Sequence, residues 1–225
     1  MQSPSHPEGA QPPSRRDRKR SAILEAAETV FLDNGYVGAS MDEIAALAAV
    51  SKQTVYKHFG DKETLFTEVV TTIVNRASDP VHDEVQELAG TGDVEADLRD
   101  LARRQLERVM TSTIMRLRRL VIGEVNRFPE LARTFYQKGP GRTIATLAEA
   151  LEELSRRGVL HIEDPALAAE HLNWAFMATP LHRAMFLGED EVSPGDLDRY
   201  AREGVTLFMA RYGPLSAADD GTLDR

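Results

Sequence analysis

The chain has 225 residues, 42% of them hydrophobic and 6% aromatic, which is material for a sizeable core in one or two domains. Its net charge is −9, and it has no cysteine, which excludes disulfides and thiolate chemistry and fits a cytoplasmic protein. No apolar run approaches the roughly 20 residues that span a bilayer, and the first residues lack the apolar stretch of a signal peptide.

Residues 1–14, rich in Pro, Ser and Gly, read as a disordered tail. Arg15, Arg16, Arg18, Lys19 and Arg20 come next, interrupted only by Asp17, at the start of a first helix expected over 14–34 and stopped by Gly35. Such a cluster is either a solvated basic stretch or, beside a nucleic-acid-binding unit, a helix end that touches phosphates, with Arg18 as a candidate contact. Ser40 and Glu43 have the spacing of a capping box, and Met41, Ile44, Ala45 and Ala48 then mark one apolar face of a short helix. Val50 and Ser51 make a turn, Ser51 caps a helix beginning near Lys52, Gly60 stops it, and Asp61 caps a long fourth helix. On the helix that starts near Lys52, the side chains of Lys52, Gln53, Tyr56 and Lys57 share an arc of about 140°, with Val55 and Phe59 on a separate apolar stripe. A helix of this kind buries one edge and presents the other to a DNA groove.

The remainder reads as helices only. They are expected at 61–87, 94–110, 113–126, 129–136, 142–157, 164–187 and 194–212, with a kink at Pro180. The tail after Pro214 reads as disordered. The domain reading is a tail at 1–14, a DNA-binding unit at 15–62, a helical body at 63–213 and a tail at 214–225. Residues 1–62 contain eight basic and eight acidic residues, and 63–225 contain 19 and 28, so the body holds the entire −9 and should stay off the phosphates. The last helix has a stripe of Leu197, Tyr200, Ala201, Gly204, Val205 and Phe208. It suits a core-facing helix and, because Ala201 and Gly204 permit close approach, equally a dimer interface made by Leu197, Ala201, Gly204, Val205 and Phe208. Met110, Met115, Phe135, Trp174 and Met177 are candidates for an adaptable apolar pocket, with His171, Asn173 and His182 as possible polar points.

Catalysis finds no support: the histidines at 6, 58, 82, 161, 171 and 182 have no metal-ligand spacing, and no phosphate loop or nucleophile elbow is present. No metal or cofactor is expected. A pure interaction scaffold suits the acidic body but leaves the Lys52–Lys57 face without a purpose.

The segment AAETVFLDNGYVGASMDEIAALAAVSKQTVYKHFGDKETLFTEVV, from Ala26 to Val70, resembles the N-terminal signature of the TetR family of bacterial transcriptional regulators. Phe31, Gly35 and Tyr36, the Ile44–Ala48 helix, the block Val55-Tyr56-Lys57-His58-Phe59, and Lys62 with Leu65 carry the likeness. It covers roughly residues 15–70, and the rest resembles the family only in length and helicity. The resemblance implies an all-α fold: a three-helix helix-turn-helix DNA-binding domain followed by a larger helical domain that binds an inducer and dimerises. It implies a homodimeric repressor, bound to a pseudo-palindromic double-stranded operator and released by a small hydrophobic molecule. Lys52, Gln53, Tyr56 and Lys57 are expected in the major groove, with Thr54 at the edge of the face and a phosphate or a thymine methyl as the alternative contact of Tyr56. His58 and Lys62 are expected to anchor the backbone, and Arg18, Ser40 and Met41 are further candidate DNA contacts. The fourth helix, at 61–87, is the expected lever between inducer and DNA.

Overall fold

The computed structural model describes residues 14–188 and 191–214, so the two tail expectations fall almost wholly outside the described residues. These form ten α-helices: α1 (Arg15–Gly38), α2 (Met41–Leu47), α3 (Lys52–Phe59), α4 (Lys62–Glu87), α5 (Val94–Val109), α6 (Ser112–Gly123), α7 (Pro129–Lys138), α8 (Pro140–Arg156), α9 (Pro165–Leu187) and α10 (Pro194–Tyr212). No strand occurs among the described residues. The fold is all-α, as its sequence pattern implies. Two compact units divide between Val69 and Val70, within α4.

In the first unit local chemistry sets every boundary. Ser14 and Asp17 form a capping box at the start of α1. Gly35 (φ 70°, ψ 175°) interrupts the helix in a conformation that costs a residue with a Cβ dearly. Tyr36 is thereby turned inward, its ring 5.0 Å from Phe66, which is also 5.0 Å from Phe31. Ser40 accepts from the Glu43 amide at 3.1 Å, but only half of the expected capping box exists. The Glu43 carboxylate instead accepts from the Asn34 side-chain amide at 2.9 Å and 3.1 Å, joining α1 to α2. Ser51 caps α3 by accepting from Thr54 N at 3.2 Å, and Asp61 caps α4 by accepting from Thr64 N at 2.7 Å. Ile23, Ala27, Phe31, Ile44, Val55, Leu65 and Phe66 are sealed from solvent and fix α1, α2, α3 and the start of α4 against one another.

In the second unit α10 packs on α9 and α5, and α8 packs on α9. Leu98 and Leu106 of α5, Leu151 and Leu154 of α8, Ala168 and Phe176 of α9, and Val205 of α10 build the core. Asp164 caps α9, with Pro165 at its first turn, and the helix stays helical through Pro180. The His171 ring and the Tyr212 hydroxyl lie 2.7 Å apart, and the Tyr212 carbonyl accepts from His161 N at 2.8 Å, which ties down the end of α10.

Candidate functional site

The first candidate surface is the outward side of α3. Val55 and Phe59 anchor its back in the core, so Lys52, Gln53, Tyr56 and Lys57 project into solvent, with Tyr56 44% exposed. Lys52 is not free: its ammonium donates to Asp42 of α2 at 2.8 Å, and this hydrogen bond, followed by the Asp42 charge, raises its pKa. To reach a base edge it must exchange that carboxylate. Thr54 shares a 2.8 Å hydrogen bond with Ser51 and is half-buried, so its hydroxyl belongs to the cap of α3.

Four of the expected DNA contacts have other engagements in the free protein. Met41 is buried, because its place on the apolar face of α2 directs the side chain into the core. Lys62 is turned to the carbonyls of Val37 and Ala39 and lies 4.7 Å from the Tyr36 ring centroid, so its ammonium closes the open end of the α1 segment. Ser40 is exposed but engaged in its cap. Arg18 shares a shallow surface with Asp17, Ser21, Ala22 and Glu25, with no residue of α3. Arg15, Arg16 and Lys19 line a concave surface together with Thr54, Lys57 and His58 of α3, and Arg20 lies 5.3 Å from the Phe59 ring centroid. At 100° per residue Arg15, Arg16, Lys19 and Arg20 fall within an arc of about 140° of α1, and Arg18 lies outside it. His58 has its pKa lowered, first by burial and then by the charges of Arg16, Arg20, Lys57 and Lys19. The cleft is a ready receptor for a phosphate backbone alongside a groove-bound α3.

The second candidate site is a cavity of about 70 Å³ in the second unit, walled by α4 (Val74, Ala77, Ser78, Val81), α5 (Gln105, Arg108, Val109), α6 (Ile114, Arg118), α7 and α8 (Phe135, Thr143), and α9 (Asn173, Trp174, Met177, Leu181). Of the five expected pocket residues, Phe135, Trp174 and Met177 meet here. Met115 and Met110 do not: Met115 is sealed in the core and Met110 packs against that core at the C-terminal cap of α5. Among the polar candidates Asn173 lines the wall, its side-chain oxygen accepting from Gln105 at 3.0 Å. His171 and His182 lie elsewhere, bound to Tyr212 and to the Ala178 carbonyl. Sequence reasoning missed the arginines, which periodicity does not distinguish from solvated ones.

The expected dimer stripe is covered within its own chain. Leu197, Ala201, Gly204, Val205 and Phe208 are all buried against α9 and α5. A Cβ at Gly204 would stand 2.8 Å from the backbone nitrogen of Phe176, so the close helix approach that Ala201 and Gly204 permit is intramolecular. The outward apolar residues are different ones: Leu167 and Trp174 on α9, Phe186 (80% exposed) near its end, and Leu207 (67%) on α10.

A short helix pinned by two core residues, with lysines, a glutamine and a tyrosine facing out beside a cationic cleft, defines the class as a helix-turn-helix DNA-binding protein. Comparison with known proteins agrees. Residues 23–69 match the family described as bacterial regulatory proteins, tetR family, and residues 96–214 match the C-terminal domain of AefR-like transcriptional repressors. The crystal structure of a TetR-family transcriptional regulator from Mesorhizobium loti is similar with 41% identity and a TM-score of 0.85, over 89% of this chain and 100% of that one. The flavonoid-responsive regulator FrrA is similar with 30% identity and a TM-score of 0.70, over 89% of this chain and 100% of FrrA. The transcriptional activator FasR of Mycolicibacterium smegmatis is 49% identical over 55 residues, which are 24% of this chain and 25% of FasR, so the chain matches only about a quarter of that relative's length. The chain belongs to the TetR family and is a DNA-binding transcriptional regulator rather than an enzyme.

Proposed function

We propose that the chain is a cytoplasmic, homodimeric repressor that leaves its operator when a small, largely apolar molecule enters the α4–α9 cavity. The observation that carries this reading is the double duty of α4. Its first turns give Leu65, Phe66 and Val69 to the core of the DNA-binding unit, and its later turns give Val74, Ala77, Ser78 and Val81 to the cavity wall. A cavity of about 70 Å³ is well below the roughly 300 Å³ of a drug-sized site, so a ligand must spread its walls, and α4 is one of them. Binding that favours the spread state shifts the population away from the operator-competent one. The match to an AefR-like repressor C-terminal domain supports the repressor role, and the flavonoid-responsive relative supports an aromatic ligand.

Lys52, Gln53, Tyr56 and Lys57 enter the major groove, where a bidentate side chain–base contact gives about 1–3 kcal/mol of discrimination. Arg15, Arg16, Lys19 and His58 take the phosphates. Two copies on a pseudo-palindrome, with half-site centres a whole number of ~34–36 Å turns apart, supply the specificity that one short helix lacks. Leu167, Trp174 and Leu207 on the outward faces of α9 and α10 form the contact between copies.

The test uses Trp174, the single tryptophan, which lines the cavity. Flavonoids and other aromatic compounds are titrated against its fluorescence, and operator affinity is measured with and without the compound. Saturation at Trp174 lowers operator affinity at least tenfold. A compound that saturates the Trp174 signal and leaves operator affinity unchanged removes the cavity from the switch.

A further inference from the structure

The charge inside the cavity is out of keeping with the chain around it. In a protein of net charge −9, the wall contains two arginines, Arg108 and Arg118, and no carboxylate. Arg108 is bound to Glu84, but that one carboxylate also accepts from Arg104 at 3.0 Å, so the group of three retains a positive charge. Arg118 has no hydrogen bond or ion pair among the described residues, and its Nε is buried without a partner. Its guanidinium lies 5.5 Å from the centroid of the Phe135 ring, which also lines the cavity. Burial lowers its pKa, the direction expected of a cation partly withdrawn from water.

A half-buried guanidinium whose Nε is sealed without a partner is costly, and a fold that needed only packing there is served better by leucine or methionine. Its planar fork of N–H donors matches a carboxylate, whose two oxygens accept in parallel. The rest of the wall is the environment of an apolar body: Val74, Val81, Ile114, Phe135, Met177 and Leu181.

We infer that the effector taken by this cavity is an amphiphilic organic acid, an aromatic or short acyl body with a single carboxylate, and that Arg118 is the residue that binds the carboxylate. The inference deepens the proposed function and rests on its assignment of the cavity as the effector site. The Phe135 ring, 5.5 Å from the guanidinium, and the Gln105–Asn173 pair, a neutral polar point, line the same cavity.

The experiment compares matched probes on the full-length dimer: 3-phenylpropanoate, cinnamate and decanoate, each against its uncharged primary amide. Binding is followed by Trp174 fluorescence and by calorimetry, on wild type and on Arg118→Gln, which keeps a polar donor but removes the charge. At least one wild-type acid–amide pair shows at least tenfold tighter binding of the acid, and Arg118→Gln abolishes that preference through loss of affinity for the acid. Arg118→Met, without any probe, melts at a higher temperature than wild type, a gain that a merely structural arginine would not give and that shows the site folds without the cation. Amides that bind as well as acids, an acid preference that survives Arg118→Gln, or no acid binding at millimolar concentration overturns the inference. Arg118-dependent acid binding that leaves operator affinity unchanged upholds the carboxylate site and overturns the switch instead.

Discussion

Ala49 stands at φ 52° in the turn between α2 and α3, a left-handed conformation unusual for a residue with a Cβ. Its amide and that of Val50 donate to the carbonyls of Ala46 and Ala45, which is the closing pattern of a helix that normally ends in glycine. Ala49→Gly should therefore raise stability by about 0.5–1 kcal/mol in denaturant unfolding, the relief of left-handed strain outweighing the added entropy of the unfolded glycine. An unchanged or lower midpoint contradicts the strain assignment. At His58 the prediction concerns binding. Burial and four neighbouring cations keep the ring neutral at pH 7 in the free protein, and phosphates brought into the cleft favour its protonated form. Its pKa is then higher in the complex than in the free protein, so operator affinity is gained as pH falls through the complex's pKa and levels off below the free protein's pKa. The gain is limited to about tenfold per pH unit for one proton taken up. His58→Gln should flatten this profile between pH 7.5 and 5.5; a profile unaltered in the variant places His58 away from the backbone. Of the candidate contacts, the solvent-facing residues of α3 are legible in the sequence because helical periodicity assigns them to one face. Lys62 and Met41 are not, because periodicity gives the direction of a side chain and not the carbonyls or core it finds there.

At the scale of elements, α10 shows where one sequence pattern serves two structures. A stripe with small residues at Ala201 and Gly204 is the mark of close helix contact, and nothing in it says whether the second helix belongs to the same chain. The answer lies in α9, whose Phe176 and Ala175 come against Gly204. Gly204→Ala should destabilise the second unit by about 1–3 kcal/mol, because the added methyl meets backbone atoms of α9 that cannot move aside independently. The loss is read in thermal or denaturant unfolding. A variant that becomes monomeric with full stability would restore the interface reading. The helix boundaries themselves are readable almost throughout, since Gly35, Ser51, Gly60, Asp61, Asp164-Pro165 and Ser193-Pro194 carry their own capping and stop chemistry. The cavity is less readable. Phe135, Trp174 and Met177 stand out by size, whereas the elements that enclose them bring in Arg118, Gln105 and the middle of α4 from positions with no local signature.

For the whole molecule, the division of charge and of labour coincide. The neutral first 62 residues concentrate their cations beside α3, and the acidic remainder holds an apolar cavity with a positive interior. The first arrangement is suited to a polyanion with an ordered groove, and the second to one small molecule. The central claim is that the outward face of α3 reads DNA sequence while the α1 cleft supplies affinity without sequence. Selection from a random duplex library, followed by affinity measurements at two salt concentrations for wild type, Gln53→Ala and Arg16→Ala, tests it most directly. Selection should yield a pseudo-palindrome whose affinity falls steeply with salt. Gln53→Ala should lose about 1–3 kcal/mol of discrimination at one base pair per half-site, and Arg16→Ala should weaken all sequences evenly and reduce the salt slope by about one unit. No enriched sequence, or a Gln53→Ala variant that weakens every duplex alike, would contradict the account.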